Sequence, residues 1–140
     1  MSNHYKSRND IELVVRGFES CTTGKDEFTH QDHLTVAVWY LRSFELRDAI
    51  DQMRMSLFRF LDHHGVGREV YNETITVFWM RLIQEFLSDT DRRQSLVEAA
   101  NTVLEQLWNS RLIFEYYTED LVRSPMAKKS WVEPDLKPLQ

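Results

Sequence analysis

Two histidines three residues apart, His30 and His33, open the stretch EFTHQDHLTVAVWYLR that spans residues 27–42. On a helix, positions i, i+3, i+7 and i+10 share a face, so His30, His33, Ala37 and Tyr40 look the same way. Two imidazoles at that spacing can reach one metal ion. A first helical turn also disfavours imidazolium, because the positive end of the helix dipole lies there, and neutral imidazole is the form a metal takes. Further ligands must come from other elements. Glu19 stands one short loop before His30, and the stretch YNETIT supplies Glu73, so the candidate metal set is Glu19, His30, His33 and Glu73 around one divalent ion such as zinc. His63 and His64 immediately precede the turn toward YNETIT, so polar helix ends are expected to gather at one pole of the molecule.

The same residues support other chemistry. His33 as base or ligand and Glu73 as its carboxylate partner form a candidate catalytic acid–base pair. Alternatively, Asn72 and Thr76 provide hydrogen-bonding groups, and Tyr40 and Trp79 provide walls, for a pocket that binds a small molecule without catalysis. A third reading is an interaction module in which Tyr116, Tyr117 and Trp131 bury a partner chain or a second copy. Against all three stands a plainer one: His30 is an exposed helix-end residue, and His33 a half-buried histidine bonded to a carboxylate. His63 and His64 then act as helix C-terminal cations favoured by the dipole. Cys21 has no CxxC partner and is expected to be a small buried residue. No P-loop, G-x-S-x-G or G-x-G-x-x-G occurs, so nothing marks a phosphate cradle or a serine nucleophile.

The elements that position these residues read as helices throughout. Four glycines and three prolines in 140 residues, with two of the prolines among the last seven, leave the body of the chain free of breakers. A first helix is expected from about Asp10 to Cys21, capped by Asn9 with Glu12 completing a capping box, and with Ile11, Val14, Val15 and Phe18 on one face. Thr29 and Asp32 form the T-x-x-D version of that box, which makes HQDH the first turn of a second helix. A third follows after Ser43 and Phe44 and ends at the glycine turn Gly65–Gly67. The fourth is placed at about Val70 to Ser88, and its wide apolar stripe marks it as central. The fifth is placed at about Asp91 to Trp108. Thr118 and the Ser124–Pro125 pair start two short helices. Pro134 and Pro138 hold the final WVEPDLKPLQ extended, with Trp131, Leu136 and Leu139 available to pack it down. The fold expected is all-α: one domain over residues 1–140, an irregular bundle of about five longer helices with short C-terminal helices and a strap.

Composition narrows the setting. A net charge of −5, with basic residues scattered among acids, offers no surface for a nucleic-acid backbone. The longest nearly apolar run, Leu34 to Leu41, is far shorter than the roughly 20 residues of a membrane-spanning helix. The opening MSNHYKSRND lacks the apolar segment of a secretory signal, and a single cysteine permits no internal disulfide. A cytoplasmic protein is expected, with a small molecule or a second copy of the chain as its partner.

EFTHQDHLTVAVWYL, YNETITVFW and YYTEDLVRSPMAKKSWVEPDLKPL together resemble a family of small bacterial all-helical proteins of unassigned activity. That family's signatures are FxHxxHLxVAxxYL, GYHETxT and YYSxxxLxSxxARxxWVEPDLxPL, and the likeness covers about residues 18–139. The resemblance implies a shared site at the HQDH and NETIT helix ends. It also marks two departures: Asn72 stands where the pattern has histidine, and Val70 where it has glycine. Were the shared site a metal centre of two histidines from helix two and one from helix four, Asn72 would leave it one nitrogen short, its amide oxygen being a weaker substitute.

Overall fold

The computed structural model describes residues 4–89 and 93–139. Five helices of 11 to 18 residues form the body: α1 (Arg8–Glu19), α2 (His30–Ser43), α3 (Leu46–His63), α4 (Glu73–Ser88) and α5 (Leu96–Gln106). A 3₁₀ turn, Arg68–Val70, precedes α4, and a 3₁₀ segment, Ser110–Glu115, follows α5. Two short helices, α6 (Glu119–Val122) and α7 (Pro125–Lys129), lead into the C-terminal strap. No strand occurs among the described residues, and no described helix is long and apolar enough to cross a membrane.

Helix starts follow local hydrogen-bond chemistry. At α2 the Thr29 hydroxyl accepts from the Asp32 N–H at 3.3 Å while the Asp32 carboxylate accepts from the Thr29 N–H at 3.1 Å. That reciprocal box satisfies two donors a helix start leaves over and fixes where HQDH begins. The expected box at α1 is displaced. Ser7, not Asn9, is the cap, with Asp10 rather than Glu12 as its partner, and Glu12 pairs along the helix with Arg16 at 2.8 Å. Both patterns fit the sequence; the earlier one wins because Tyr5 is pinned just upstream, its N–H donating to Asn101 Oδ1 and its C=O accepting from Asn101 Nδ2, each at 2.9 Å.

The start of α4 also moves. Val70 ends the 3₁₀ turn, Tyr71 and Asn72 are extended, and Asn72 is the true cap, its Oδ1 accepting from the Ile75 N–H. Helix α5 begins at Leu96, behind a Ser95–Glu98 capping box; the expected start at Asp91 lies outside the described residues. Helix α3 ends as expected, with Gly65 in the left-handed region at φ 66°.

The most enclosed helix is α2, which packs against α1, α3, α4 and α5. Leu34 through Val38 are buried without a break, because LTVAV is apolar or small on every side, and the one hydroxyl there, Thr35, bonds to the Gln31 carbonyl and the Tyr5 hydroxyl. The wide stripe of α4 instead serves two cores. Met80 and Ile83 belong to the main core, while Phe78 joins Ile113, Tyr117 and Val122 in a second cluster beneath the strap.

The strap is extended and tied down. Thr74 donates to the Ser130 carbonyl at 2.9 Å and accepts from the Val132 N–H, Tyr117 donates to the Val132 carbonyl at 2.6 Å, and Asp135 takes both the N–H and hydroxyl of Thr118. Trp131 and Leu139 pack on the second cluster as expected. Leu136 does not: it is 56% exposed, its backbone N–H being what holds it, to the Tyr116 carbonyl.

Candidate functional site

The first turn of α2 and the first half of α4 face each other across a cavity of about 270 Å³. Its walls come from His30, His33, Leu34 and Ala37 of α2, Met53 and Leu57 of α3, and Ile75, Thr76, Trp79, Met80 and Ile83 of α4. Ser110, Ile113 and Phe114 of the 3₁₀ segment and Val122 of α6 close it. The walls are largely apolar, and the polar groups among the described lining residues are the two imidazoles, the Thr76 and Ser110 hydroxyls and the Trp79 indole N–H.

Each imidazole is set differently. His30 Nε2 lies 3.1 Å from the Leu107 carbonyl. A carbonyl only accepts, so Nε2 carries the hydrogen and Nδ1 keeps a lone pair. The ring meets Trp79 edge-on, with centroids 4.7 Å apart. His33 packs edge-on against Phe28 at 4.3 Å, and Phe28 in turn stacks on Phe18 at 4.2 Å. Among the described residues no group hydrogen-bonds to the His33 ring, although the residue is only half-buried and reaches the cavity. Crowding by protein atoms, with a smaller contribution from neighbouring His30, pushes the His33 pKa down to about 4. Desolvation also lowers that of His30, against the opposing effect of the Leu107 bond. Both rings are therefore neutral at ordinary pH.

The four residues named as a metal set do not converge. Glu19 accepts a 2.6 Å hydrogen bond from the Tyr40 hydroxyl, which also contacts Ser56 at 2.8 Å. Tyr40 does share a face with His30, but ten residues on it lies about 15 Å along the axis. It is not a wall of the cavity. Burial, and then the bond to Glu19, push its phenol pKa up. Sharing a face is not sharing a depth, and that distance separates Glu19 from the histidines.

Glu73 faces a different way, into a cleft between α3, the 3₁₀ turn and α7. Its carboxylate accepts from Arg54 Nε at 2.9 Å and Nη2 at 2.6 Å, and from the Tyr71 hydroxyl at 2.6 Å. Burial acts to raise its pKa, but the Arg54 and Tyr71 bonds and the Arg54 charge outweigh it, leaving the carboxyl below its usual range. Glu73 is thus spent on a bidentate ion pair, apart from His33. Among the described residues no three His, Cys, Asp or Glu side chains form a group able to hold a metal ion.

Asn72 is spent too, donating from Nδ2 to the Val122 carbonyl at 2.8 Å while its Oδ1 caps α4. Of the expected pocket residues, Thr76 and Trp79 line the cavity and Asn72 and Tyr40 do not. His64 contacts the Thr23 carbonyl at 3.0 Å, and neither it nor His63 reaches the cavity. Sequence reasoning missed the wall made by Ser110, Ile113 and Phe114. The available signal was Asn109, whose Oδ1 accepts from the Arg111 N–H and starts that segment. It also missed Arg54 and Tyr71 as the partners of Glu73. Comparison with known protein families, curated proteins and solved structures finds no match for this chain.

Proposed function

We propose that the protein binds a small molecule in the cavity between α2 and α4. The observation that carries this reading is the combination of an apolar cavity of about 270 Å³ with His33 at its wall, a ring that no described residue hydrogen-bonds. A preformed apolar pocket with a few converging polar groups is the usual form of a ligand site. The His33 ring is half-buried, so its unused donor and acceptor reach the cavity and are available to a ligand. The acid–base reading gains less support, because Glu73 is engaged by Arg54 and Tyr71 and lines a separate cleft. The family resemblance points to the same two helix ends. A reducing cytoplasm is the setting we infer from the single cysteine, and a bacterial source from the family resemblance.

Thermal melting and ligand-observed NMR with a panel of small aromatic and aliphatic fragments test the proposal. Fragments that fit should raise the melting temperature in proportion to occupancy. Ala37→Leu, which pushes a larger side chain into the chamber, should abolish the effect. Ser110→Trp, at the exposed rim, serves should the first variant be unstable. Fragments that bind both variants as well as they bind the native chain, or a panel that yields no binder, would sink the reading.

A further inference from the structure

Building on that reading, we propose that the cavity selects an uncharged ligand with an apolar body about one or two rings in size and a hydroxyl anchored on His33, the class of phenols and alcohols. Among the described residues the wall contains no Asp, Glu, Lys or Arg. A carboxylate or ammonium entering it would leave water without meeting an opposite charge, which costs more than the burial of its apolar part returns. Charge of either sign is selected against.

The polar groups at the wall then set the head group. The His30 hydrogen goes to the Leu107 carbonyl, and the Thr76 hydroxyl hydrogen goes to the Asn72 carbonyl at 3.1 Å. What these two residues have left to offer is lone pairs. His33, neutral and without a hydrogen bond among the described residues, has one N–H and one lone pair. The Ser110 hydroxyl at the rim and the Trp79 indole N–H add donors, so the wall both gives and takes hydrogens; a hydroxyl answers both needs, whereas a carbonyl or ether can only accept and leaves the lone pairs of His30, His33 and Thr76 unanswered. Trp79 and Phe114 supply faces against which an aromatic body can pack. The size fits too, since a dry cavity of about 150 Å³ is enough for benzene, and this one is 270 Å³.

The experiment uses the full chain and four probes of matched shape: 4-propylphenol, propylbenzene, 4-propylbenzoate and 4-propylbenzylammonium. Dissociation constants are measured by calorimetry at neutral pH. The phenol should bind about tenfold or more tightly than either charged probe, and several-fold more tightly than propylbenzene. His33→Leu should erase the advantage of the phenol over propylbenzene. His33→Gln, which restores a donor and an acceptor, should recover part of it and covers the case in which the leucine variant does not fold. If the benzoate or the ammonium binds as well as the phenol, the inference is overturned while the pocket reading stands. If the phenol advantage survives in both His33 variants, His33 is not the anchor and the inference is overturned as well. If none of the four binds at millimolar concentration, the pocket reading fails with it.

Discussion

Two sites flank the beginning of α4, and they solve the problem of polar groups inside a protein in opposite ways. On the α3 side, Glu73, Arg54 and Tyr71 are bound to one another: two guanidinium hydrogens and a phenol hydrogen meet one carboxylate, and Asp51 takes a further hydrogen from Arg54 Nη1 at 2.7 Å. On the α2 side, His33 lines an apolar chamber, its ring packed edge-on against Phe28 but without a hydrogen bond among the described residues. The first arrangement is closed and holds α3 to the start of α4. The second leaves hydrogen-bonding capacity for something that is not protein. Strong polar contacts thus mark structure here, and the missing contact marks the site.

The contrast can be sharpened through pH. His33 has a folded pKa of about 4 against an ordinary value of 6.5, so the folded state holds fewer protons than the unfolded chain between those values. Stability should be at its full value above pH 6.5, fall as pH drops toward 4, and level off below, with roughly 3 kcal/mol lost to this residue across the window. Glu73 has the opposite role in the account but the same sign: its depressed carboxyl pKa means its contribution is lost at still lower pH. Denaturant melts at pH 7, 5.5 and 4.5 on the native chain and on His33→Leu separate the two. The difference in slope over that range belongs to His33, and parallel curves would mean that the ring is not desolvated.

Breaking the closed site should cost less but leave the open one intact. Glu73→Ala removes the carboxylate that Arg54 and Tyr71 share, and Arg54 side-chain exposure of 30% lets water soften the loss. A decrease of about 2 kcal/mol is expected from chemical denaturation, below the range for a fully buried pair. Fragment binding should be unchanged. A Glu73→Ala chain that loses ligand binding while keeping its fold would join the two sites after all.

A smaller effect belongs to the cap that sets the histidine turn. Thr29→Ala removes the hydroxyl that accepts from the Asp32 N–H and should cost about 1 kcal/mol. Because the turn carries His30 and His33, ligand affinity should weaken in step with the melting temperature. A full loss of stability without any loss of affinity would show that the chamber positions its histidines by packing alone.

Much of the fold was legible because its determinants are local. Thr29 and Asp32, Thr118 with Glu119 and Asp120, and Ser124 before Pro125 each announce a helix start within four residues, and the structure begins helices at each. Where two local patterns competed, at Ser7 and Asn9, the choice lay with the Asn101 amide, 96 residues from the Tyr5 that it grips. The site was half legible for the same reason. Helical spacing pointed His30 and His33 in one direction and brought Thr76 and Trp79 to the same chamber. Spacing carried no information on depth along α2, which parts Tyr40 and Glu19 from the histidines, nor on the Arg54 side chain across α3, which draws Glu73 away. The Ser110–Glu115 wall was hidden because a 3₁₀ segment follows neither the helical nor the strand period.

The claim on which the account rests is that His33 is a neutral, unpartnered imidazole facing a cavity, independent of Glu73. Long-range proton–nitrogen NMR of the histidine side chains, followed from pH 7.5 to 3.5 with and without 4-propylphenol, measures it directly. His33 should stay neutral until about pH 4, His30 should appear as the Nε2–H tautomer, and the phenol should shift the His33 nitrogens most. A His33 that titrates near its ordinary value and ignores the phenol would contradict the account.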